Sequence, residues 1–224
     1  MVVAHDSYLI NLASPNRHLR ARSLASFVAE LERCRALGIR YVVSHPGNYM
    51  DAPTRGITRN ARAYAEALER VPGPTILLET TAGAGTALGA RFEDLGELRE
   101  RIGLSGRGRV GFCADTCHLF VAGYDLRDQW SEVWEQWDRV LGRRALRCLH
   151  LNDAVAPLGS HRDRHALIGE GTLGPGPFRR IMRSPRFAHT IAIIETPTEG
   201  DPMTMNRRML RRLRAYGRAP RGRK

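Results

Sequence analysis

The stretch Val110-Gly111-Phe112-Cys113-Ala114-Asp115-Thr116-Cys117-His118 runs from apolar residues into a carboxylate, and an imidazole follows three residues later. Short apolar runs of this kind read as buried parallel strands. A polar residue at the C-terminal end of such a strand stands where barrel enzymes place their chemistry. The pattern recurs along the chain. Runs over 2–5, 40–44, 75–79, 147–150 and 191–195 close on, or lead directly into, His5, His45, Glu79, His150 and Glu195. Only 8 His and 23 Asp or Glu occur among 224 residues, so composition alone does not put such residues at six strand ends. Between the strands lie helical patterns. Leu24, Phe27, Val28, Leu31 and Leu37 recur at helical spacing before Gly38, and further helices are expected over 58–70, 92–101, 127–141, 178–183 and 203–216.

Alternating βα units leave two architectures, an open doubly wound sheet or a (β/α) barrel. An open sheet would spread the six strand ends along a line, whereas a barrel gathers them into a ring. No Gly-rich dinucleotide fingerprint follows the first strand, and Gly83-Ala84-Gly85 lies too late in the chain to serve as one. A TIM-type (β/α) barrel is therefore expected.

Composition agrees with one globular domain, at 42% apolar and 26% charged residues. The domain is expected over 1–216, with a basic tail without fixed structure over 217–224. No apolar run approaches the roughly 20 residues that span a bilayer. Met1-Val2-Val3-Ala4-His5-Asp6 lacks the basic and apolar regions of a secretory signal, so a cytoplasmic protein without a membrane partner is expected. Four cysteines are too sparse for a disulfide scaffold and are read as reduced thiols. The net charge of +12 permits a polyanion partner without establishing one. Residues 201–224 carry nine of the basic side chains against Asp201 alone, and without them the net charge falls to +4.

Two clusters extend the strand-end set. Asp115 and His118 lie three residues apart, close enough for a turn in the following loop to aim both at one cavity. Asp163 and His165, with one residue between them, face the same side of an extended segment. The candidates are then nine: His5, His45, Glu79, Asp115, His118, His150, Asp163, His165 and Glu195. Mixed imidazole and carboxylate donors at this density suit zinc, with manganese as second choice, and nine donors with a bridging carboxylate suffice for three ions. Cys117 is left out of a set otherwise built from His and carboxylates. His18, His161 and His189 fall outside the pattern.

Several segments together resemble the endonuclease IV family of apurinic/apyrimidinic endonucleases. They are His5-Asp6-Ser7-Tyr8-Leu9-Ile10-Asn11-Leu12, Ser44-His45-Pro46-Gly47, Leu78-Glu79-Thr80-Thr81-Ala82-Gly83, Gly111 through His118, His150-Leu151-Asn152-Asp153, Asp163-Arg164-His165, Gly169-Glu170-Gly171 and Glu195-Thr196. The resemblance implies a xylose-isomerase-like barrel with a trinuclear zinc site that cuts double-stranded DNA on the 5′ side of an abasic site. It assigns His5, His45 and Glu79 to one zinc, and Glu79, Asp115, His150 and Glu195 to a second. The third falls to His118, Asp163 and His165. Glu79 is the catalytic bridge, and Tyr8 and Leu9 match positions that insert into the DNA. Packing at a strand-to-loop junction is the alternative for those two side chains.

A barrel of this type has eight units, yet six strands are counted here, so the chain is expected to be an incomplete barrel that starts at the third unit. A monomer is expected of the full-length form, and an oligomer or aggregate of an open-edged one. Two rival functions remain at this point. One is a metal-dependent sugar isomerase or epimerase, which needs fewer ions, and the other is an inactive DNA- or metal-binding remnant.

Overall fold

The computed structural model describes residues 1–103, 108–198 and 200–218. Six parallel strands form one sheet: β1 (Val3–His5), β2 (Tyr41–Ser44), β3 (Thr75–Glu79), β4 (Val110–Asp115), β5 (Leu146–His150) and β8 (Ile191–Ile193). They pair in sequence order and curl into part of a barrel wall. Among the described residues β1 pairs only with β2, and β8 only with β5. Helices α1 (Arg17–Ala36), α2 (Pro53–Arg70), α3 (Phe92–Ile102), α5 (Trp130–Val140), α6 (Pro175–Arg183) and α7 (Pro202–Gly217) follow the strands in turn. None of the described helices is long and apolar enough to cross a membrane. Of the tail expected over 217–224, Gly217 closes α7, and residues 219–224 lie outside the described residues.

Strand period sorts the side chains into two layers. On the helix side, Ile76, Leu78, Phe112, Ala114 and Leu149 join the main core with Phe92 and Trp137, whose rings meet edge to face at 5.1 Å. Each such aromatic contributes about 1.5 to 3 kcal/mol by leaving water. On the inward side, Tyr41, Val43, Leu77, Cys113 and Cys148 form a separate cluster, flanked by Val3, Ile191 and Ile193. The residue two positions after this inward row is, strand by strand, His5, His45, Glu79, Asp115 and His150, with Glu195 two positions after Ile193. The fold thus converts a period-2 pattern into one polar rim above one apolar floor.

Two elements depart from the expected pattern. The segment after Asp115, read as a loop, is helix α4 (Thr116–Ala122), because the Asp115 carboxylate caps it by accepting the His118 backbone N–H at 2.9 Å. Strands β6 (Asp153–Ala154) and β7 (His165–Ala166) pair antiparallel as a small hairpin that no sequence pattern announced.

Candidate metal centre

Glu79 stands at the middle of the rim, fully buried, and three imidazoles converge on it. Nε2 of His5 and of His45 each lie 3.0 Å from its Oε2, and Nδ1 of His150 lies 2.8 Å from its Oε1. His150 also lies 3.1 Å from Glu195 and 4.0 Å from Asp115. On the far side, the Asp163 carboxylate lies 3.1 Å from His118 Nε2 and 3.3 Å from His165 Nε2, and His165 lies 3.7 Å from Asp115. All nine expected side chains therefore meet in one place. Donor atoms within 4.8 Å of one another fall into the groups His5-His45-Glu79, Glu79-Asp115-His150-Glu195 and His118-Asp163-His165. His5, His45, His118, Asp163, His165 and Glu195 border a cavity of about 400 Å³ whose rim includes Tyr8. Tyr8 is 93% exposed and Leu9 70%, so neither packs the junction it follows.

The donor chemistry fits divalent cations. His5, His118 and His165 each direct Nδ1 at a backbone carbonyl, of Asp6, Thr80 and Glu195 respectively. A carbonyl only accepts, so Nδ1 carries the proton and a neutral ring presents its Nε2 lone pair to the cluster. Metal-binding histidines are oriented in this way. Nε2 of His118 and of His165 are buried with no hydrogen-bond partner, facing carboxylate oxygens that would repel them unless positive charge lay between.

Protons supply that charge when no cation does. Burial opposes charging of His5, but Glu79 outweighs it and lifts the pKa to about 9. Burial likewise opposes charging of His118, which Asp115 and Asp163 raise to about 10, and of His165, which Asp163 raises to about 9. Burial would raise Glu79, yet His150 and His45 hold it well below the usual carboxylate range. Asp163 is lowered by the His118 and His165 imidazoles beside its carboxylate.

Supporting residues were not visible as candidates in the sequence. Asn152 donates from Nδ2 to Asp115 at 2.6 Å and accepts the Glu195 backbone N–H at 2.8 Å, fixing two carboxylates at once. Thr80 accepts the Asp115 N–H at 3.0 Å. Asp153 accepts backbone N–H groups of Ala154, Gly169 and Leu173, which ties down the loop after β7. A Cβ at Gly171 would collide with the Ala154 carbonyl oxygen, so this close approach requires glycine. Asn152, Asp153 and Gly171 lie in or beside motifs that point to the centre, which is the one signal the sequence carried for them.

Fold and rim together define a xylose isomerase-like TIM barrel with candidate metal-binding groups at its strand ends, and the family of that description matches residues 1–216. A probable endonuclease 4 of Chloroflexus aggregans is 49% identical over 219 residues, covering 96% of this chain and 76% of the relative. The crystal structure of endonuclease IV from Thermus thermophilus superposes with a TM-score of 0.81 at 36% identity, over 96% of this chain and 74% of that one. The chain belongs to the endonuclease IV family. A D-tagatose 3-epimerase-like structure superposes with a TM-score of 0.75 at 21% identity, a likeness of fold alone.

Proposed function

We propose that the chain is a DNA repair endonuclease that hydrolyses the phosphodiester 5′ to an abasic site, using three zinc ions. The arrangement of nine donors into three groups joined through Glu79 carries this reading. His5, His45 and Glu79 would hold one ion, Glu79, Asp115, His150 and Glu195 the second, and His118, Asp163 and His165 the third, with manganese able to replace zinc. Such ions, when bound, supply Lewis acidity toward the phosphate oxygens and the departing alkoxide. Glu79, shared between two groups, orients the attacking water toward phosphorus. Water oxygen bonds to phosphorus as the bond to the 3′ oxygen breaks, leaving a 3′-hydroxyl and a 5′-deoxyribose phosphate.

Tyr8 stands exposed at the cavity rim with the exposed Leu9 next to it in sequence, where they can enter the duplex at the lesion, Tyr8 stacking on neighbouring bases. The His118-Asp163-His165 group exceeds what a one- or two-ion sugar isomerase requires. The test pairs metal analysis of the purified chain with incision of a duplex holding one abasic site. Three ions per chain and a single 5′ cut are expected. Two or fewer ions with ketose epimerisation, or ions with no incision, would overturn the reading. Tyr8→Ala should weaken abasic-duplex binding by about 1 to 3 kcal/mol with metal content unchanged. Loss of metal in that variant would return Tyr8 to a structural role.

A further inference from the structure

The inward floor beneath the carboxylates and imidazoles is apolar, built from Tyr41, Val43 and Leu77 with Val3, Ile191 and Ile193 partly buried beside them. Two thiols interrupt it. Cys113 and Cys148 are register partners on β4 and β5, both at 0% exposure. Strand period places Cys113 one row below Asp115 and Cys148 one row below His150. Ligand atoms of Cys113, Cys148 and His150 all lie within 4.8 Å of one another.

We propose that Cys113, Cys148 and His150 form a second, sulfur-rich metal site, suited to a soft cation of low coordination number such as Cu(I). Donors that bind one ion at about 2.0 to 2.3 Å stand somewhat under 4 Å apart, so small side-chain rotations close the site around an ion. Two sulfurs select a soft ion, whereas the oxygen-rich rim above suits zinc or manganese. The surrounding floor is apolar, which favours an ion content with two or three ligands. Each thiol releases its proton to solvent as the sulfur–metal bond forms, so two protons leave per cation bound. The two rows thus sort cations by hardness. This site shares His150 with the rim but does not depend on the nuclease reading.

The test is an anaerobic titration of the full chain with Cu(I), delivered as its acetonitrile complex, following the sulfur-to-copper charge-transfer absorption in the ultraviolet. Saturation at one copper per chain is expected. The band should vanish in Cys113→Ser and in Cys148→Ser and persist in Cys34→Ser and Cys117→Ser. Circular dichroism reports whether each variant folds. Independently of any variant, anomalous scattering at the copper edge from crystals of the unaltered chain should place copper between the Sγ atoms of Cys113 and Cys148. A copper found elsewhere, a band that survives both Ser substitutions, or no saturable band overturns the proposal.

Discussion

Glu79 is the one side chain that belongs to two of the three donor groups, so its chemistry is the most exposed to substitution. Glu79→Gln keeps the shape but exchanges a charged bridge for a neutral amide. Several kcal/mol of charge stabilisation rest on that bridge, so incision should fall by about 100-fold or more, with loss of bound metal. Full activity in the variant would refute the role. The histidines make a pH prediction with a definite sign. A folded-state pKa raised to about 9 for His5 and His165, and about 10 for His118, stabilises the cation-free fold below the unfolded value of about 6.5. That contribution is lost as pH climbs through 9 to 10. The lowered Asp163 and Glu195 act oppositely, stabilising above the ordinary carboxylate range and losing that effect as pH falls. The cation-free chain should therefore melt highest in the middle of the range and decline on the alkaline side. Zinc replaces the protons, so the loaded chain should keep its Tm there and release protons on binding. Melts at pH 7 and pH 10 with and without zinc check this, and an equal alkaline decline in both forms would contradict it.

The elements that deliver these residues differ in how plainly the sequence announced them. Six strand ends were legible because a buried parallel strand is a short apolar run and a barrel projects its last inward residue into the site. Asp163 was named on other grounds, its spacing to His165 along an extended segment, with no knowledge of its partners. Helix α4 was not legible. Its seven residues are too few for a period, and its start is fixed by the same carboxylate that enters the metal centre. The β6–β7 hairpin was equally silent, since its strands are two residues each and it is held by the buried Asp153 rather than by pattern. An amide such as Asn152 carries no metal-ligand signature, so its hold on Asp115 and Glu195 required coordinates. The hairpin yields its own prediction. Asp153→Ala would orphan backbone donors of Gly169 and Leu173 at a cost of about 1 to 3 kcal/mol each. The segment bearing Asp163 and His165 would loosen while the other seven donors, on the main strands, just beyond them or on α4, stay in place. Metal analysis should then find about two ions per chain instead of three. A full complement of metal in a destabilised variant would show that the third group does not depend on the hairpin.

For the molecule as a whole, the donors draw on all six strands of the main sheet or the turns just beyond them, so a bound cluster ties the curled sheet together along its upper rim. Along the floor the strands meet only through backbone pairing and apolar contacts. The outer strands β1 and β8 each have one paired neighbour among the described residues, and His5 and Glu195 lie at or just beyond their ends. Metal links those two strands to the centre from opposite sides. A ligand that binds only the folded state stabilises it by RT ln(1 + [L]/Kd), or about 4 kcal/mol at a thousandfold excess over Kd. In a chain of this size each kcal/mol moves Tm by about 2 to 4 °C. Dialysis against a chelator should therefore lower Tm by about 10 °C, and added zinc should restore it. The loss should appear first at the outer strands, as faster backbone hydrogen exchange in β1 and β8 than in β3 and β4, because among the described residues each of the outer pair has one paired neighbour and each inner strand two. A Tm indifferent to chelation, or exchange that rises uniformly across the sheet, would mean that packing on the helix side already fixes the rim and the cations add chemistry without adding stability.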